Sequence, residues 1–475
     1  MSEIKQKIIA RFPPSPTGWF HIGNARTALF NYFFIKKNGG ELLFRLEDTD
    51  KERSKKEYEQ DIIKGLKWLG ININFDKIYK QSEHSVLYKK YLEKMIADGK
   101  AYISKEEIKE EGQKTEVIRL KNPGEKIVFE DMIRGEIIID TTELGDFIIA
   151  KSLDEPIYHF AVVIDDFEMG ITHIIRGEDG IYNTPRQILI QQAIGAPRPK
   201  YAHTPFILNE DRTKLSKRKQ GEFVSLKYYR EQGYLPEAMI NFLAMCGWNP
   251  GDDTEIMSME EIIEKFDIIK VQKGGAIFNQ QKLLWFNKEY LKLLPKEKII
   301  EEIKKRFPEN CQDIKIIKKI SDIIIERINV FSDIDKMVVD GDIQYFFKAG
   351  WISDIQLDDQ SQKLFKEMIV WKKDGTLEQA KENLILVLNI LKDANECGFE
   401  TQINMDRTQM NADNKEFKNL KEKLMKLAEE KGKGNVLWPL RVALSGKEKS
   451  PDPFTLLFIL GKEESMERIQ KVISL

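Results

Sequence analysis

A chain of 475 residues is too long for one compact domain and sets an expectation of about three or four. Hydrophobic residues at 41% and charged residues at 32% exclude disorder as a whole-chain description. The 75 basic and 77 acidic residues, for a formal charge of −2, exclude a global basic field, so any nucleic-acid contact has to come from local patches. Cys246, Cys311 and Cys397 lie far apart and make neither a disulfide framework nor a C-x-x-C zinc or redox motif, which fits a reducing cytosol. The start MSEIKQK lacks the apolar run of a signal peptide, and the apolar stretch from Leu384 to Leu391 contains Asn389 and is too short to span a membrane. The expectation is a soluble, cytoplasmic protein.

The first fifty residues alternate in character. An apolar run from Ile8 to Phe12 leads into the loop PPSPTG and an amphipathic stretch from Phe20 to Lys37. Gly39 and Gly40 follow, then a second apolar run from Leu42 to Leu46. That pattern predicts a β-loop-α-β unit whose second strand ends in Glu47-Asp48-Thr49-Asp50, at the sheet edge where open α/β folds bind ligands. Residues 82–112 read as lysine- and glutamate-rich helix, and 114–152 as short strands, among them Glu136 to Asp140 and Asp146 to Ala150. This segment reads as an insertion between two sheet halves. Strands are expected again at Phe160 to Ile164 and Ile171 to Ile175, then a helix from Thr184 to Gly195. From Leu235 onward helical periodicity dominates, broken by Pro250-Gly251, Gly274-Gly275, Pro308 and Pro439.

Two segments carry chemistry. In RFPPSPTGWFHIGNARTALFNY, Arg11 to Tyr32, a proline-stiffened loop meets a helix start, and His21 lies close to it. Unpaired N–H groups and positive dipole at such a start suit phosphate. His21 can donate to an oxyanion forming on phosphorus, and Gly23 leaves room for a nucleotide to approach the backbone. In the second, Lys214-Leu215-Ser216-Lys217-Arg218-Lys219, four cations occur in six residues. Alone, such a run suits a solvated loop or a general nucleic-acid patch. With the first segment it can clamp a triphosphate from the other side.

HIGN at 21–24 and KLSKR at 214–218 resemble the HIGH and KMSKS signatures of class I aminoacyl-tRNA synthetases. The flanking text narrows the resemblance. FPPSPTGWFHIGNARTALFN, FRLEDTD at 44–50, IIRGEDGIYNTPRQ at 174–187 and LWPLRVALSGKEKSPDPFTLLFILGKEES from Leu437 to Ser465 are similar, in colinear order, to bacterial glutamyl-tRNA synthetases. The resemblance implies an α/β, Rossmann-type, doubly wound catalytic domain with an acceptor-binding insertion, followed by all-α tRNA-contacting domains. The expected division is 1–89 and 157–211 for the two catalytic halves and 90–156 for the insertion. A stem-contact helical domain carrying the KLSKR loop takes 212–305, and a helical anticodon-binding region 306–475.

It also implies chemistry: attack of the glutamate α-carboxylate on the α-phosphorus of ATP with Mg²⁺, then transfer of the glutamyl group to the terminal adenosine of tRNA(Glu). By position in the motifs, His21 would assist at the α-phosphate, while Lys214 and Lys217 would hold the β- and γ-phosphates, Lys217 foremost. Arg11 and Arg176 would sit at the amino-acid pocket, where the buried side-chain carboxylate of glutamate needs a cation, a bidentate task for which arginine suits better than lysine. Glu47 would take the substrate ammonium, Ser15 and Tyr158 would line the pocket, Gly23 would lie near the nucleotide, and Asp179 near the nucleotide or the terminal adenosine of the tRNA. Without the resemblance, Glu47 reads as a surface acid, and Arg176 as a partner of Glu178 or Asp179.

The segment Ala101 to Arg119 is shorter than in many relatives and carries no cysteine, so no structural zinc is expected. Asn24 and Lys219 stand where the signatures often have histidine. Trp248, Trp285 and Trp438 read as core or interdomain anchors, and Lys415 to Lys433 as a solvated amphipathic helix with a stripe at Phe417, Leu420, Leu424 and Leu427. The chain is expected to act as a monomer. The alternatives are a form that also charges tRNA(Gln), a shortened relative that glutamylates a modified anticodon base, and a tRNA-binding paralogue without catalysis.

Overall fold

The computed structural model describes residues 7–107, 114–215, 221–348, 359–371, 375–394 and 415–475. Two compact units divide the chain, Met1–Tyr290 and Leu291–Leu475.

The first unit is built on a seven-stranded sheet. Strand β1 (Ile9–Phe12) is followed by helix α1 (Ile22–Lys37) and strand β2 (Glu41–Leu46), then α2 (Lys56–Trp68), β3 (Tyr79–Lys80) and α3 (Ser85–Ala97). Strands β4 (Ala101–Glu107), β5 (Lys114–Leu120), β6 (Lys126–Asp131), β7 (Gly135–Asp140), β8 (Ile148–Ser152) and β9 (Glu155–Pro156) come next. Helix α4 (Tyr158–Glu168), strand β10 (His173–Gly177), helix α5 (Thr184–Ile194) and strand β11 (Lys200–Thr204) complete the sheet, whose order is β3-β2-β1-β10-β11-β6-β7. All neighbours pair in parallel except the β6–β7 hairpin. The order reverses between β1 and β10, and the crevice at the carboxyl ends of such a pair is where doubly wound sheets bind ligands.

The first β-α-β unit and the helix expected from Thr184 form as the pattern predicts, within two residues at each end. Three expectations about the strands and helices of this unit need correction. Residues 101–107 form a strand: Gly99, at φ 66°, ends α3, and Lys100 N–H donates to Met95 O at 2.9 Å, so the charged run continues as β4 against β5. Residues 160–164 belong to α4, because this apolar run packs against α3, α5 and β8 and is covered on all faces, a case in which periodicity cannot separate strand from helix. The expected insertion is also not one separate module. Strands β4, β5, β8 and β9 form their own sheet, whereas the β6–β7 hairpin joins the main sheet beside β11. Trp248 is buried, but Trp285 is 40% exposed and anchors no core.

The second unit is helical among its described residues, with helices Lys296–Arg306, Ile314–Arg327, Ser332–Val339, Asp359–Met368, Leu377–Lys392, Lys415–Lys431, Lys433–Ser445 and Pro453–Ser474. Its core includes Leu384, Val387, Leu391, Leu420, Leu424, Leu440, Leu444 and Leu457. In the helix Lys415–Lys431 the stripe buries Phe417, Leu420 and Leu424 and then Ala428 in place of Leu427. The sequence pattern has Pro439 breaking the helical run, but it lies inside the helix Lys433–Ser445. Proline has no N–H for the carbonyl four residues back, and here that carbonyl, Asn435 O, accepts from Asn383 Nδ2 at 2.9 Å instead.

Substituting Asn383→Leu leaves Asn435 O without its partner and is expected to cost about 1–3 kcal/mol. Urea unfolding reads this as a lower midpoint at unchanged slope. An unchanged midpoint means that solvent already satisfies the carbonyl.

Candidate active site

A cavity of about 630 Å³ opens where β1 and β10 end. Its lining brings together Arg11, Ser15, His21, Gly23, Glu47, Tyr158, Arg176, Asp179 and Lys214. These are the expected site residues other than Lys217, which lies outside the described residues together with Ser216, Arg218 and Lys219.

Arg11 comes from the end of β1 and is only 2% exposed. Its Nε donates to Asp166 Oδ1 at 3.0 Å, and the same oxygen accepts from Arg45 Nη1 at 2.7 Å. Arg45, fully buried on β2, also donates from Nη2 to Glu47 Oε1 at 3.1 Å. Burial alone would raise the Asp166 carboxyl, but the flanking Arg11 and Arg45 outweigh it and hold Asp166 below the usual carboxylate range. Glu47 goes the other way: burial pushes it up, against the pull of Arg45 and Arg11. At 7% exposure Glu47 is no surface acid, and a cation entering the cavity would supply the charge that burial withholds.

Arg176 is the penultimate residue of β10 and does not pair with Glu178 or Asp179. Its Nη2 donates to Gly180 O at 3.0 Å and Thr184 Oγ1 at 2.7 Å, and its Nε to His203 Nε2 at 3.1 Å. Glu178 pairs instead with Arg134 at 2.6 Å and accepts from Phe206 N–H. Burial lowers Arg176 from its ordinary value, and the charge of Arg11 pushes the same way. Arg11 Nη1 and Arg176 Nη1 are both shielded from solvent with no hydrogen-bond partner. Two guanidiniums in one cavity, each with an unused buried donor, make an anion site, since a buried charge with open donors gains most from an oxyanion.

His21 is the N-cap of α1, its Nδ1 accepting from Gly23 N–H at 2.9 Å. That bond fixes the hydrogen on Nε2, so the ring is a neutral donor at the positive end of a 16-residue helix. The loop is tied to a later segment through Leu226 N–H, which donates to Phe20 O at 2.8 Å. Lys214 is brought in by a tight turn. Asn209 N–H donates to Thr213 O at 2.8 Å, Arg212 adopts φ 62°, and Lys214 then bridges back to Leu208. Its Nζ lies 3.9 Å from the Phe206 ring centre and 4.0 Å from Asp179 Oδ2, with both charged side chains more than half exposed.

Sequence reasoning missed Asp166, Arg45, His203, Asp131 and Thr184, all of which hold site residues. One available signal was the Asp165-Asp166 pair closing an otherwise apolar run. Among the described residues, no group of three or more His, Cys, Asp and Glu side chains is arranged to hold a metal ion.

Removing the Asp166 carboxylate (Asp166→Ala) leaves the buried Arg11 and Arg45 without their shared partner, and the expected loss is about 3–5 kcal/mol of stability. Chemical unfolding measures it. A loss under about 1 kcal/mol would mean that other groups take over both guanidiniums.

Residues 7–115 and 103–285 match the family described as tRNA synthetases class I (E and Q), catalytic domain, and residues 298–473 match an anticodon binding domain. The chain is 37% identical to a glutamate–tRNA ligase of Aquifex aeolicus over 98% of this chain and 99% of that protein. It is 38% identical to glutamate–tRNA ligase 2 of Caldanaerobacter subterraneus over 98% of both. A solved structure of a glutamate tRNA ligase from Elizabethkingia meningosepticum, in complex with its amino acid, superposes with a TM-score of 0.80 at 32% identity. That match covers 99% of each chain.

Proposed function

The chain belongs to the glutamate–tRNA ligases, class I aminoacyl-tRNA synthetases, and on that premise we propose that the cavity at the β1–β10 crevice binds glutamate and ATP and forms glutamyl-adenylate there. One observation carries this reading: Arg11 Nη1 and Arg176 Nη1 are buried and unpartnered in the same lining that contains Glu47. An amino acid with a second carboxylate offers what such a lining lacks, oxyanions for the two guanidiniums and an ammonium for the raised Glu47.

In the reaction, a glutamate α-carboxylate oxygen attacks the α-phosphorus of ATP carried as its Mg²⁺ complex. The bond between the α-phosphorus and the oxygen bridging to the β-phosphate breaks, and pyrophosphate leaves. The 2′-hydroxyl of the terminal adenosine of tRNA(Glu) then attacks the activated carbonyl, giving up its proton to the departing phosphate or to water, and AMP departs with the electron pair of the broken acyl–oxygen bond. The protein acts mainly by positioning and by charge stabilisation. Arg11 and Arg176 hold carboxylate, Glu47 holds the ammonium, and Ser15 and Tyr158 border the amino acid. His21 presents Nε2–H to the α-phosphate beside the α1 N-terminus, Gly23 and Asp179 adjoin the nucleotide, and Lys214 with Lys217 neutralises the departing pyrophosphate. Residues 1–89 with 157–211 are taken as the catalytic halves, whose sheet the β6–β7 hairpin extends, the rest of 90–156 as the acceptor insertion, 212–305 as the stem-contact domain and 306–475 as the anticodon region. The chain works as a monomer in the cytoplasm and needs no structural zinc.

The test is aminoacylation with radiolabelled glutamate on separately purified tRNA(Glu) and tRNA(Gln), for wild type and Lys217→Ala. Wild type is expected to charge tRNA(Glu), with Lys217→Ala slower by about 100-fold or more. Charging of both tRNAs identifies a non-discriminating enzyme. Binding of tRNA without charging of either overturns the assignment of catalysis.

A further inference from the structure

Arg176 owes its orientation to two buried residues outside every motif. We infer that Asp131 and His203 are positioning residues that fix the Arg176 guanidinium for the substrate carboxylate, Asp131 by setting which imidazole nitrogen carries the hydrogen. This rests on the reading of Arg176 as a glutamate-binding residue.

Strand register makes the arrangement. Arg176 and His203 are partners across β10 and β11, and Tyr201 and Asp131 are partners across β11 and β6. Arg176 Nε can only donate, so His203 Nε2, 3.1 Å away, must offer its lone pair. The imidazole hydrogen therefore sits on Nδ1 and is donated to Asp131 Oδ2 at 2.6 Å. Both His203 and Asp131 side chains are fully buried. Burial keeps His203 below its ordinary value and thus neutral. Burial also opposes ionisation of Asp131, but bonds from His203 and from the backbone of Arg134 and Ile133 outweigh it and keep the carboxylate ionised. Asp131 is itself held, accepting from Ile133 N–H at 3.0 Å and Arg134 N–H at 2.9 Å on Oδ1 and from His203 N–H at 3.1 Å on Oδ2.

The other side of the guanidinium is fixed as well. Nη2 is bound to Gly180 O and Thr184 Oγ1, and a Cβ at Gly180 would lie 2.7 Å from Arg176 Cδ, so only glycine lets the side chain lie over this backbone. With Nε and Nη2 both engaged, Nη1 is the nitrogen left without a partner. The hairpin β6–β7 thus reaches the amino-acid site through Asp131, and a residue more than forty positions before Arg176 sets its aim.

A purely structural role for Asp131 would be to anchor the hairpin to β11, and the two roles separate by experiment. In Asp131→Asn, the amide oxygen can stay on the N–H groups of Ile133 and Arg134 while its NH₂ faces His203 Nδ1. The imidazole hydrogen then moves to Nε2, where it opposes Arg176 Nε–H. The full-length chain is assayed for glutamylation of tRNA(Glu). The expected result is a KM for glutamate raised about 10- to 100-fold with the KM for ATP unchanged, since a misplacement of about 1 Å suffices for such a loss. The ¹⁵N spectrum of the five histidines should show one ring exchanging its protonated nitrogen. His203→Gln, which offers an amide oxygen to Arg176 and has no tautomer to switch, should keep the glutamate KM near wild type, and adding Asp131→Asn to it should have little further effect.

A glutamate KM unmoved by Asp131→Asn, one raised equally in the His203→Gln background, or a common rise in all KM values with a lower Tm would overturn the positioning role. Arg176→Lys serves as the control for the underlying reading. If it leaves the glutamate KM unchanged, Arg176 is not a glutamate ligand and both claims fall. If it raises that KM while Asp131→Asn does not, the positioning role alone falls.

Discussion

The site depends on one buried carboxylate. Asp166 Oδ1 accepts from Arg11 Nε and Arg45 Nη1 at 3.0 and 2.7 Å, and none of the three side chains is more than 5% exposed. Clusters of this kind seldom stabilise a fold relative to apolar packing, because desolvation of the ions offsets their attraction. What such a cluster does here is orient. Arg11 is on β1, Arg45 on β2 and Asp166 on α4, so the guanidinium of Arg11 is aimed only when all three elements have docked. Arg45 carries the constraint onward to Glu47, the residue just past β2. The neighbouring Asp165 closes the cluster from beneath, accepting from Tyr79, Tyr88 and Gln81 at 2.6–2.8 Å.

Strand order explains why residues so distant in sequence meet. With β1 beside β10, the two strands end at the same sheet edge while their connections run to opposite sides of the order, leaving a crevice that no side chain from either half fills. Arg11 and Arg176 are the penultimate residues of these two strands, and Glu47 follows the next one over. Helix α1 begins at this edge too, so the backbone donors and dipole of its first turn share the cavity with the two arginines. An acyl phosphate needs that juxtaposition, because the carboxylate and the phosphorus it attacks must be held within contact distance.

Much of this was legible in the sequence, for reasons that also mark the limits. The first β-α-β unit could be read because its apolar runs, glycine stop and loop agree with one another, and the candidate residues that line the cavity could be named because two cation- and glycine-bearing segments occur with matching flanks. The reading failed where local pattern is degenerate. Phe160 to Ile164 is apolar on every face, so strand and helix look alike, and only packing against α3, α5 and β8 decides. Tyr102 to Glu107 has the composition of a solvated helix, yet Gly99 ends the preceding helix and the pairing with β5 takes over. Asp131 and His203 could not be linked from sequence, because their relation lies in strand register and β6 joins the sheet out of chain order. Lys217 lies outside the described residues, so its expected part rests on the motif.

The two sides of the cavity differ in how their cations are prepared. Arg11 is held through its Nε bond to Asp166 and Arg176 through Nε and Nη2, so the open buried donors at Nη1 are present before any ligand arrives, and little reorganisation opposes the approach of a carboxylate. Lys214 is different: its carboxylate neighbour Asp179 is 4.0 Å away and both are largely exposed, a pairing worth at most about 1 kcal/mol. A polyphosphate, bearing several charges, can displace Asp179 from that lysine at little cost. On the proposed assignment, selectivity for the amino acid is therefore built into the resting fold, while the phosphate side is completed by the nucleotide it binds. The net charge of −2 is compatible with two anionic substrates for the same reason: at hydrogen-bond distance, local donor geometry outweighs the screened field of the distant surface charges.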